Sequence, residues 1–375
     1  MAIISWLKTS TGFAIMRFEY IDNLRAILMM LGVVLHSAAV FSIHKYWLVS
    51  YERTSTHLDW LTSSIHSFRM PLFFVIAGFF ALMLLQRYKA SKFMKNRSKR
   101  IVIPFISAVL LINPLQNMLM TIYYKETTVN YFVDYAISHL WFLVNLMGYC
   151  LILLLSGFLL RGVHMKSEIF MSSTKGFFAV VLAFPLFIII VLTAGTLGLP
   201  IYEHVVLLGS PVTFMYYLSF FLFGAIIFAH KPWLELIETK IFMFLSLTGV
   251  ALMIMNTLPR VIGVEPESVL SKVGREYIET ISVLFICLFL WSSFAHLFKQ
   301  SSKVMAYLAG ASYTIYLLHH LLVVAFTMLI NISGINAHPL LIFTCLVTLV
   351  FVTSLAIHKF VILRFSRLRF MFNGQ

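Results

Sequence analysis

Residues 22–36 read DNLRAILMMLGVVLH, an apolar stretch that opens with Asp22 and Arg25 and closes with His36. Similar apolar runs of about twenty residues recur along the chain, long enough to cross the roughly 30 Å hydrocarbon core of a bilayer as helices. They lack the alternation of polar and apolar residues that is typical of a membrane β-barrel strand. The sequence therefore predicts an all-α polytopic membrane protein.

The composition leads to the same class. The chain is 61% hydrophobic and 11% charged, with a mean hydropathy of +0.93, which excludes a water-soluble globular protein. We predict one transmembrane domain over residues 1–375, with short tails at about 1–20 and 360–375. The apolar pattern places ten spans at about 24–44, 63–85, 101–123, 138–160, 176–199, 212–230, 241–259, 277–298, 306–332 and 339–359.

The distribution of basic residues predicts the orientation. Of the 28 Lys and Arg residues, 21 fall in loops on one side of these spans and 6 on the other, while Arg69 lies within the second span. Cytoplasmic loops carry the excess of Lys and Arg, so we expect both termini in the cytoplasm. The net charge of +14 then belongs mainly to a face that suits anionic lipid headgroups or a polyanionic cofactor. Nothing indicates nucleic-acid binding, and a homo-oligomer is compatible with the sequence.

Ionisable residues inside the spans are the candidates for function. Arg25 and His36 are eleven residues apart, which returns a helix to nearly the same face with a rise of roughly 16 Å. A charged residue at the centre of a membrane helix costs about 2.5 to 3.5 kcal/mol, so this stripe and Arg69 should face the bundle interior. The alternative for His36 is a histidine that is hydrogen-bonded across a helix interface.

Arg97 and Arg100 lie three residues apart at the predicted cytoplasmic start of the third span. Guanidinium groups bind phosphate oxygens in a bidentate way, and a helix N-terminus would add backbone donors. Topological anchoring by positive charge is the alternative. The cysteines lie in apolar helices without CxxC spacing, so we expect packed thiols and no metal site: Cys150, Cys287 and Cys345.

Several motifs, taken in order, resemble the acyltransferase-3 family of membrane-bound acyltransferases. They are an Arg and a His separated by ten residues in the first span, FFxxxGF at 73–79 in the second, RxxR at 97–100, and ten spans overall. The segments 22–25, 65–70, 138–143 and 315–320 resemble a glucan-modifying branch, so the resemblance covers nearly the whole chain. Two positions depart from the family pattern, with Ala77 in place of a serine and Leu321 in place of a proline.

The resemblance implies an enzyme of the bacterial inner membrane. It would transfer an acyl group, succinyl or acetyl, from cytoplasmic acyl-CoA to a glycan hydroxyl on the far side, with osmoregulated periplasmic glucan as the acceptor of that branch. Acyl-CoA would act as the donor substrate, and no tightly bound cofactor is expected. The other partners would be the lipid bilayer and the glucan.

This chemistry assigns roles on the donor side. His36 is the predicted general base, since transfer to a hydroxyl needs a base within about 3 Å of the attacking O–H group. Arg97 and Arg100 would hold the phosphates of CoA, with Arg25 on the path from them to His36. Arg69 is a candidate for binding the carboxylate of a succinyl group.

Further residues are predicted on the acceptor side. Glu279 is the expected carboxylate partner that orients His36. His139 and His319 could each approach the outer end of the pore, whereas His320 points about 100° away from His319, so only one of the pair should line the cavity.

Tryptophan and tyrosine residues near the outer surface have two interpretations. They can anchor the protein at the membrane interface or stack against sugar rings: Tyr46, Trp47, Tyr51 and Trp141. The chief alternative function is a transporter or flippase of a glycan or lipid-linked sugar, which would need no RxxR motif and would be favoured by inverted repeats. A purely structural protein would leave the buried Arg25, His36 and Arg69 unexplained.

Overall fold

The computed structural model describes residues 18–125, 137–159, 173–196, 210–261, 268–298 and 302–374, and these ranges contain helices but no strand. Nearly all of the predicted N-terminal tail lies outside them. In chain order the helices are α1 (Glu19–Ala39), α2 (Thr56–Arg87), α3 (Ala90–Tyr124), α4 (Trp141–Leu159), α5 (Thr174–Thr196), α6 (Pro211–Ala229), α7 (Lys231–Ile237), α8 (Lys240–Ser246), α9 (Thr248–Val261), α10 (Val269–Leu297), α11 (Lys303–Ile332), α12 (Pro339–Ile357) and α13 (Ser366–Asn373).

Nine helices of the described ranges are long and apolar enough to span a membrane. The predicted span at 241–259 corresponds to α8 and α9, and a break just before it separates it from α7, which meets it at an angle of 75°. Thr239 causes the break: its hydroxyl accepts a hydrogen bond from the Phe242 amide at 3.1 Å and so starts a new helix. If the bent pair is counted as one span, the total is ten, and the prediction of an all-α polytopic membrane protein is confirmed.

The third span differs from its predicted form. It begins at Ala90 instead of residue 101, and it contains two π-helical turns, Ser98–Val102 and Ala108–Ile112. Each turn directly precedes a proline, Pro104 or Pro114, that lacks the amide needed for the regular hydrogen bond. The wider turns let the helix continue across these prolines.

The α2 and α6 helices pack backbone against backbone. A Cβ atom added at Gly78 would lie 1.8 Å from the carbonyl oxygen of Phe221, and one added at Gly224 would lie 1.8 Å from that of Val75. Only glycine fits at such distances, which explains the glycine of the FFxxxGF segment. Close approach through small residues is a common way to associate helices in lipid.

The C-terminal residues form a packed helix. The Asn373 side chain at the end of α13 accepts a hydrogen bond from the Thr314 hydroxyl of α11 at 3.0 Å. Gly374, with φ of +66°, follows directly and lies against the backbone of Lys99 and Arg100. The predicted tail at 360–375 is therefore folded against the end of the bundle that carries the RxxR motif.

The three cysteines are free thiols. Cys150 and Cys287 are buried, as predicted for packed thiols, whereas Cys345 is exposed on the surface of α12. The exposure of Cys345 corrects that part of the prediction, because an apolar helix at the bundle edge turns one face outward.

Candidate active site

Four histidines from distant parts of the chain meet in one cluster. His36 lies near the end of α1, His139 in the turn before α4, and His319 and His320 within α11. The ring of His36 has its centre 5.2 Å from the rings of both His319 and His320. The His139 ring lies 4.5 Å from that of His320 and 5.4 Å from that of His319. We call these four residues the histidine cluster.

Both neighbouring histidines of α11 belong to the cluster, which corrects the expectation that only one would. Their ring centres are 6.2 Å apart and their planes are nearly perpendicular, as two consecutive helical side chains should be. His36 and His139 approach α11 from other elements and touch both rings. The expectation considered only one face of α11, but the site includes two adjacent faces of that helix.

Hydrogen bonds fix the proton position on two of these rings. The Nδ1 atom of His319 lies 2.5 Å from the carbonyl oxygen of Tyr316, and that of His320 lies 2.8 Å from Oε1 of Gln116. Both oxygens only accept, so each Nδ1 carries the hydrogen and donates it. Each Nε2 therefore keeps a lone pair that can accept a proton or a hydrogen bond.

Several ring nitrogens of the cluster are buried and have no hydrogen-bond partner among the described residues. They are Nδ1 of His36, Nε2 of His319 and both nitrogens of His139. Burying an unpaired polar atom is costly, so these nitrogens are suited to hydrogen bonds with a polar molecule at the cluster. Trp47 covers one side, with its ring stacked on His36 at 4.6 Å and edge-on to His320 at 4.7 Å.

Arg69 supplies positive charge beside the histidines. Its side chain is buried, with 7% of the residue exposed, and it forms no ion pair with a described carboxylate. A Cβ atom at Gly32 would lie 3.2 Å from a guanidinium nitrogen of Arg69 and 3.3 Å from Nε2 of His319. The bare backbone of Gly32 thus leaves room for Arg69 to reach the cluster.

The predicted phosphate site is a separate cavity at the other end of α1. Arg97 and Arg100 line a space of about 210 Å³ together with Leu84, Tyr88 and Asn96. The predicted backbone donors of a helix N-terminus are not there, because α3 begins seven residues earlier and Arg100 lies in a π-helical turn. The two guanidinium groups and the side chains around them remain as ligands for an anion.

Arg25 extends this positive region. Its charge is close enough to repel those of Arg97 and Arg100. It pairs with Asp22 at 3.1 Å and lies over the ring of Phe80 at 5.9 Å. The α1 helix therefore connects the basic cavity, near Arg25, with the histidine cluster, which contains His36.

Glu279 is not brought together with His36. It lines a different cavity, with Tyr216, Tyr217 and Glu276, and no carboxylate of a described residue forms an ion pair with His36. The depth of a residue along its helix was the basis for the predicted pairing, but depth alone does not say which helices are neighbours. No group of three or more metal-ligating side chains with suitable geometry occurs in the described ranges.

The aromatic residues of the outer surface have different roles. Tyr46 is 58% exposed, as an interface anchor would be, whereas Tyr51 is buried and donates its hydroxyl hydrogen to the carbonyl of Ile335 at 2.8 Å. Trp47 packs against His36 and His320 of the histidine cluster. Trp141 lies 5.3 Å from the ring of Tyr217, between the cluster and the cavity of Glu279.

Sequence reasoning did not single out Gln116 or Tyr316, the two residues that orient the histidine rings. Gln116 has an amide side chain inside an apolar helix and is 1% exposed. A search of all polar residues within the predicted spans would have found it. Tyr316 acts through its main-chain carbonyl, which every residue has, so its identity in the sequence gives no sign of this role. Its hydroxyl donates to the carbonyl of His139 at 2.7 Å and so also holds the turn that carries that ring.

Known proteins resemble the chain over almost its full length. Residues 18–359 match a family model described as an acyltransferase domain. Glucans biosynthesis protein C of Shigella dysenteriae serotype 1 (strain Sd197) is 30% identical over 389 residues, covering 96% of this chain and 95% of the relative. The protein of the same name from Escherichia coli (strain K12) is 30% identical over 391 residues with the same coverage. No solved structure matches the chain.

The family match extends from the start of α1 to the end of α12 and so includes all four histidines and the arginines of both sites. The family model matches more than half of this chain, and the relatives align with it over 95% of their own length. The chain therefore belongs to the acyltransferase-3 family and is a multi-pass membrane acyltransferase.

Proposed function

We propose that this protein takes an acyl group from cytoplasmic acyl-CoA and transfers it to a hydroxyl of a periplasmic glucan at the bacterial inner membrane. The name of the relatives supports a glucan as the acceptor, and a succinyl or an acetyl group suits the donor. The observation that carries the proposal is the histidine cluster, whose unpartnered nitrogens lie beside the buried charge of Arg69.

The basic cavity is the proposed donor site. Arg97 and Arg100 bind phosphate oxygens of CoA, and the positive charge of Arg25 adds to the attraction. The acyl-pantetheine arm then follows α1 from Arg25 toward His36, a distance of roughly 16 Å along the helix axis. This route brings the thioester from the cytoplasmic end of the bundle to the histidine cluster.

At the cluster, His36 accepts the proton of the glucan hydroxyl while the oxygen forms a bond to the thioester carbonyl carbon. Negative charge develops on the carbonyl oxygen, where the guanidinium of Arg69 stabilises it. The carbon–sulfur bond then breaks, and the CoA sulfur leaves with the proton that His36 returns. His319 and His320, with lone pairs on Nε2, orient the acceptor by accepting hydrogen bonds from its hydroxyl groups.

The proposal is tested by replacing His36 with alanine in protein reconstituted into lipid. We expect acyl transfer to a glucan to fall by about 10²- to 10⁴-fold, because the general base is lost, while the yield of folded protein stays the same. Mass spectrometry of the glucan measures the transferred group. His57→Ala, at an exposed position of α2, is the matched control and should keep full activity.

An active His36→Ala variant would contradict the assignment of the base. A wild-type protein that carries glucan across the membrane without acylating it would instead support a transporter.

A further inference from the structure

The cavity that Glu279 lines has no part in the reaction proposed above. It has a volume of about 230 Å³ and lies where the end of α5 meets the beginnings of α6 and α10. Its wall on the α5 side is aliphatic. Apart from the aliphatic Val212 of α6, the remaining side chains are polar or aromatic and come from α6 and α10: Thr213, Tyr216, Tyr217, Glu276, Glu279 and Thr280.

Two hydroxyl groups that line this cavity are suited to a polar ligand. Thr280 is 4% exposed and Tyr217 is 7% exposed, and both line the cavity. Neither hydroxyl forms a hydrogen bond with another residue of the described ranges. Because both residues line the cavity and a hydroxyl can donate as well as accept, these two groups are suited to hydrogen bonds with a molecule in it.

The chemistry of the lining matches a sugar ring. Carboxylates such as Glu276 and Glu279 accept strong hydrogen bonds from hydroxyl groups, and two adjacent hydroxyls can bind the two oxygens of one carboxylate. The Thr280 and Tyr217 hydroxyls can donate as well as accept. The aliphatic wall and the tyrosine rings suit the apolar C–H faces of a pyranose.

The cavity is connected to the histidine cluster through aromatic contacts. The Tyr217 ring lies 5.3 Å from Trp141, which is two residues after His139 of the cluster. The charge of Arg69 also acts on the phenol group of Tyr217. Tyr217 therefore lines the cavity and also contacts Trp141, at the start of the helix that follows the turn of His139.

We propose that this cavity is a binding subsite for the acceptor and holds one uncharged sugar ring while a neighbouring hydroxyl reaches the histidine cluster. Glu279 and Glu276 accept hydrogen bonds from that ring, and Thr280 and Tyr217 complete its contacts. The two carboxylates repel an acceptor that bears an anionic group, so the subsite selects neutral, hydroxyl-rich glycans. This inference rests on the proposed function.

The test measures binding apart from chemistry. Wild-type protein in lipid nanodiscs is titrated calorimetrically with an uncharged gluco-oligosaccharide, and separately with acyl-CoA. We expect Glu279→Gln and Thr280→Val each to weaken oligosaccharide binding, roughly ten-fold or more for the charged group, and to leave acyl-CoA binding unchanged. Glu235→Gln, the same substitution at an exposed glutamate of α7, is the control and should bind as wild type does.

A second comparison tests charge selection. The same oligosaccharide carrying one carboxylate should bind wild-type protein more weakly than the neutral form, and Glu279→Gln should reduce this difference. Equal affinity of wild type and both variants for the neutral oligosaccharide would overturn the proposal. So would an equal loss of oligosaccharide and acyl-CoA binding, because that result would mean a general structural effect.

The outcome is distinguishable from a failure of the proposed function. If wild-type protein binds the oligosaccharide through Glu279 but transfers no acyl group, the subsite stands and the transferase mechanism fails. If it transfers acyl groups and Glu279→Gln keeps the wild-type KM for the oligosaccharide, the mechanism stands and the subsite fails.

Discussion

Arg69 places a buried positive charge beside the histidine cluster. A buried guanidinium without a carboxylate partner in the described part of the chain is expensive to keep in a membrane, and Gly32 is shaped to let it reach His319. Two anions of the proposed reaction could bind there: the oxygen of the tetrahedral intermediate, or the free carboxylate of a succinyl donor. The first is common to all acyl donors and the second is not.

This difference gives a test at the residue scale. We expect Arg69→Gln to lower kcat with acetyl-CoA and with succinyl-CoA by a similar factor, about 10²- to 10³-fold, as for loss of an oxyanion donor. Steady-state rates with the two donors measure it. A loss confined to succinyl-CoA would instead identify Arg69 as the receptor of the succinyl carboxylate.

Substitution of Gly32 should lower activity nearly as much as substitution of Arg69. In Gly32→Ala the new methyl group would press on both Arg69 and His319, which must move by a few tenths of an ångström. We expect a reduced kcat with little change in the KM for acyl-CoA, because the donor cavity is at the other end of α1. Gly310→Ala, whose added methyl group would meet nothing within 4 Å, is the matched control and should have wild-type kinetics.

At the scale of helices, hydropathy and periodicity predicted the spans well but not their internal breaks. Length and apolar content decide whether a segment crosses a bilayer, and both are visible in sequence. The break at Thr239 depends on one capping hydrogen bond, and the π-helical turns depend on the amide hydrogens that Pro104 and Pro114 lack; hydropathy registers neither. His36, His139, His319 and Arg69 were predicted because intramembrane ionisable groups are rare.

The rest of the site depends on how helices are arranged around one another. His320 was excluded because it points away from His319, yet His36 and His139 meet it from other elements. Glu279 was paired with His36 by depth, yet it faces a different cavity. A single sequence gives the face and depth of each side chain, and neither quantity identifies the neighbouring helix.

The stability of the protein should be sensitive to substitution of the glycines at the contact between α2 and α6. We expect Gly78→Ala and Gly224→Ala each to destabilise the protein by about 1–3 kcal/mol or more, because each methyl group would overlap a main-chain carbonyl of the opposite helix. Thermal unfolding in detergent measures this, with Gly310→Ala again as the control. Wild-type stability of Gly78→Ala would show that the two backbones can separate freely.

On the scale of the whole molecule, the donor cavity and the histidine cluster occupy opposite parts of α1. This separation predicts that binding of the CoA nucleotide and the chemical step respond to different substitutions. Arg97→Gln and Arg100→Gln should raise the apparent KM for acyl-CoA roughly ten-fold or more and leave kcat nearly unchanged, since each loses a charged hydrogen bond to phosphate.

A donor without the nucleotide provides the decisive comparison. With an acyl-pantetheine thioester, which lacks the nucleotide phosphates, the same variants should have the KM of wild type. Lys95→Gln, an exposed neighbour that does not line the cavity, should match wild type with both donors. An unchanged KM of the arginine variants for acyl-CoA would refute the phosphate site.

The glycine contact between α2 and α6 also constrains how the protein is made. About 150 residues separate Gly78 from Gly224, so at translation rates of 5–20 residues per second α2 enters the bilayer roughly seven to thirty seconds before α6 emerges from the ribosome. During that interval the bare backbone at Gly78 faces lipid or the insertion machinery. The interior of the bundle, and with it the histidine cluster, can close only late in biogenesis.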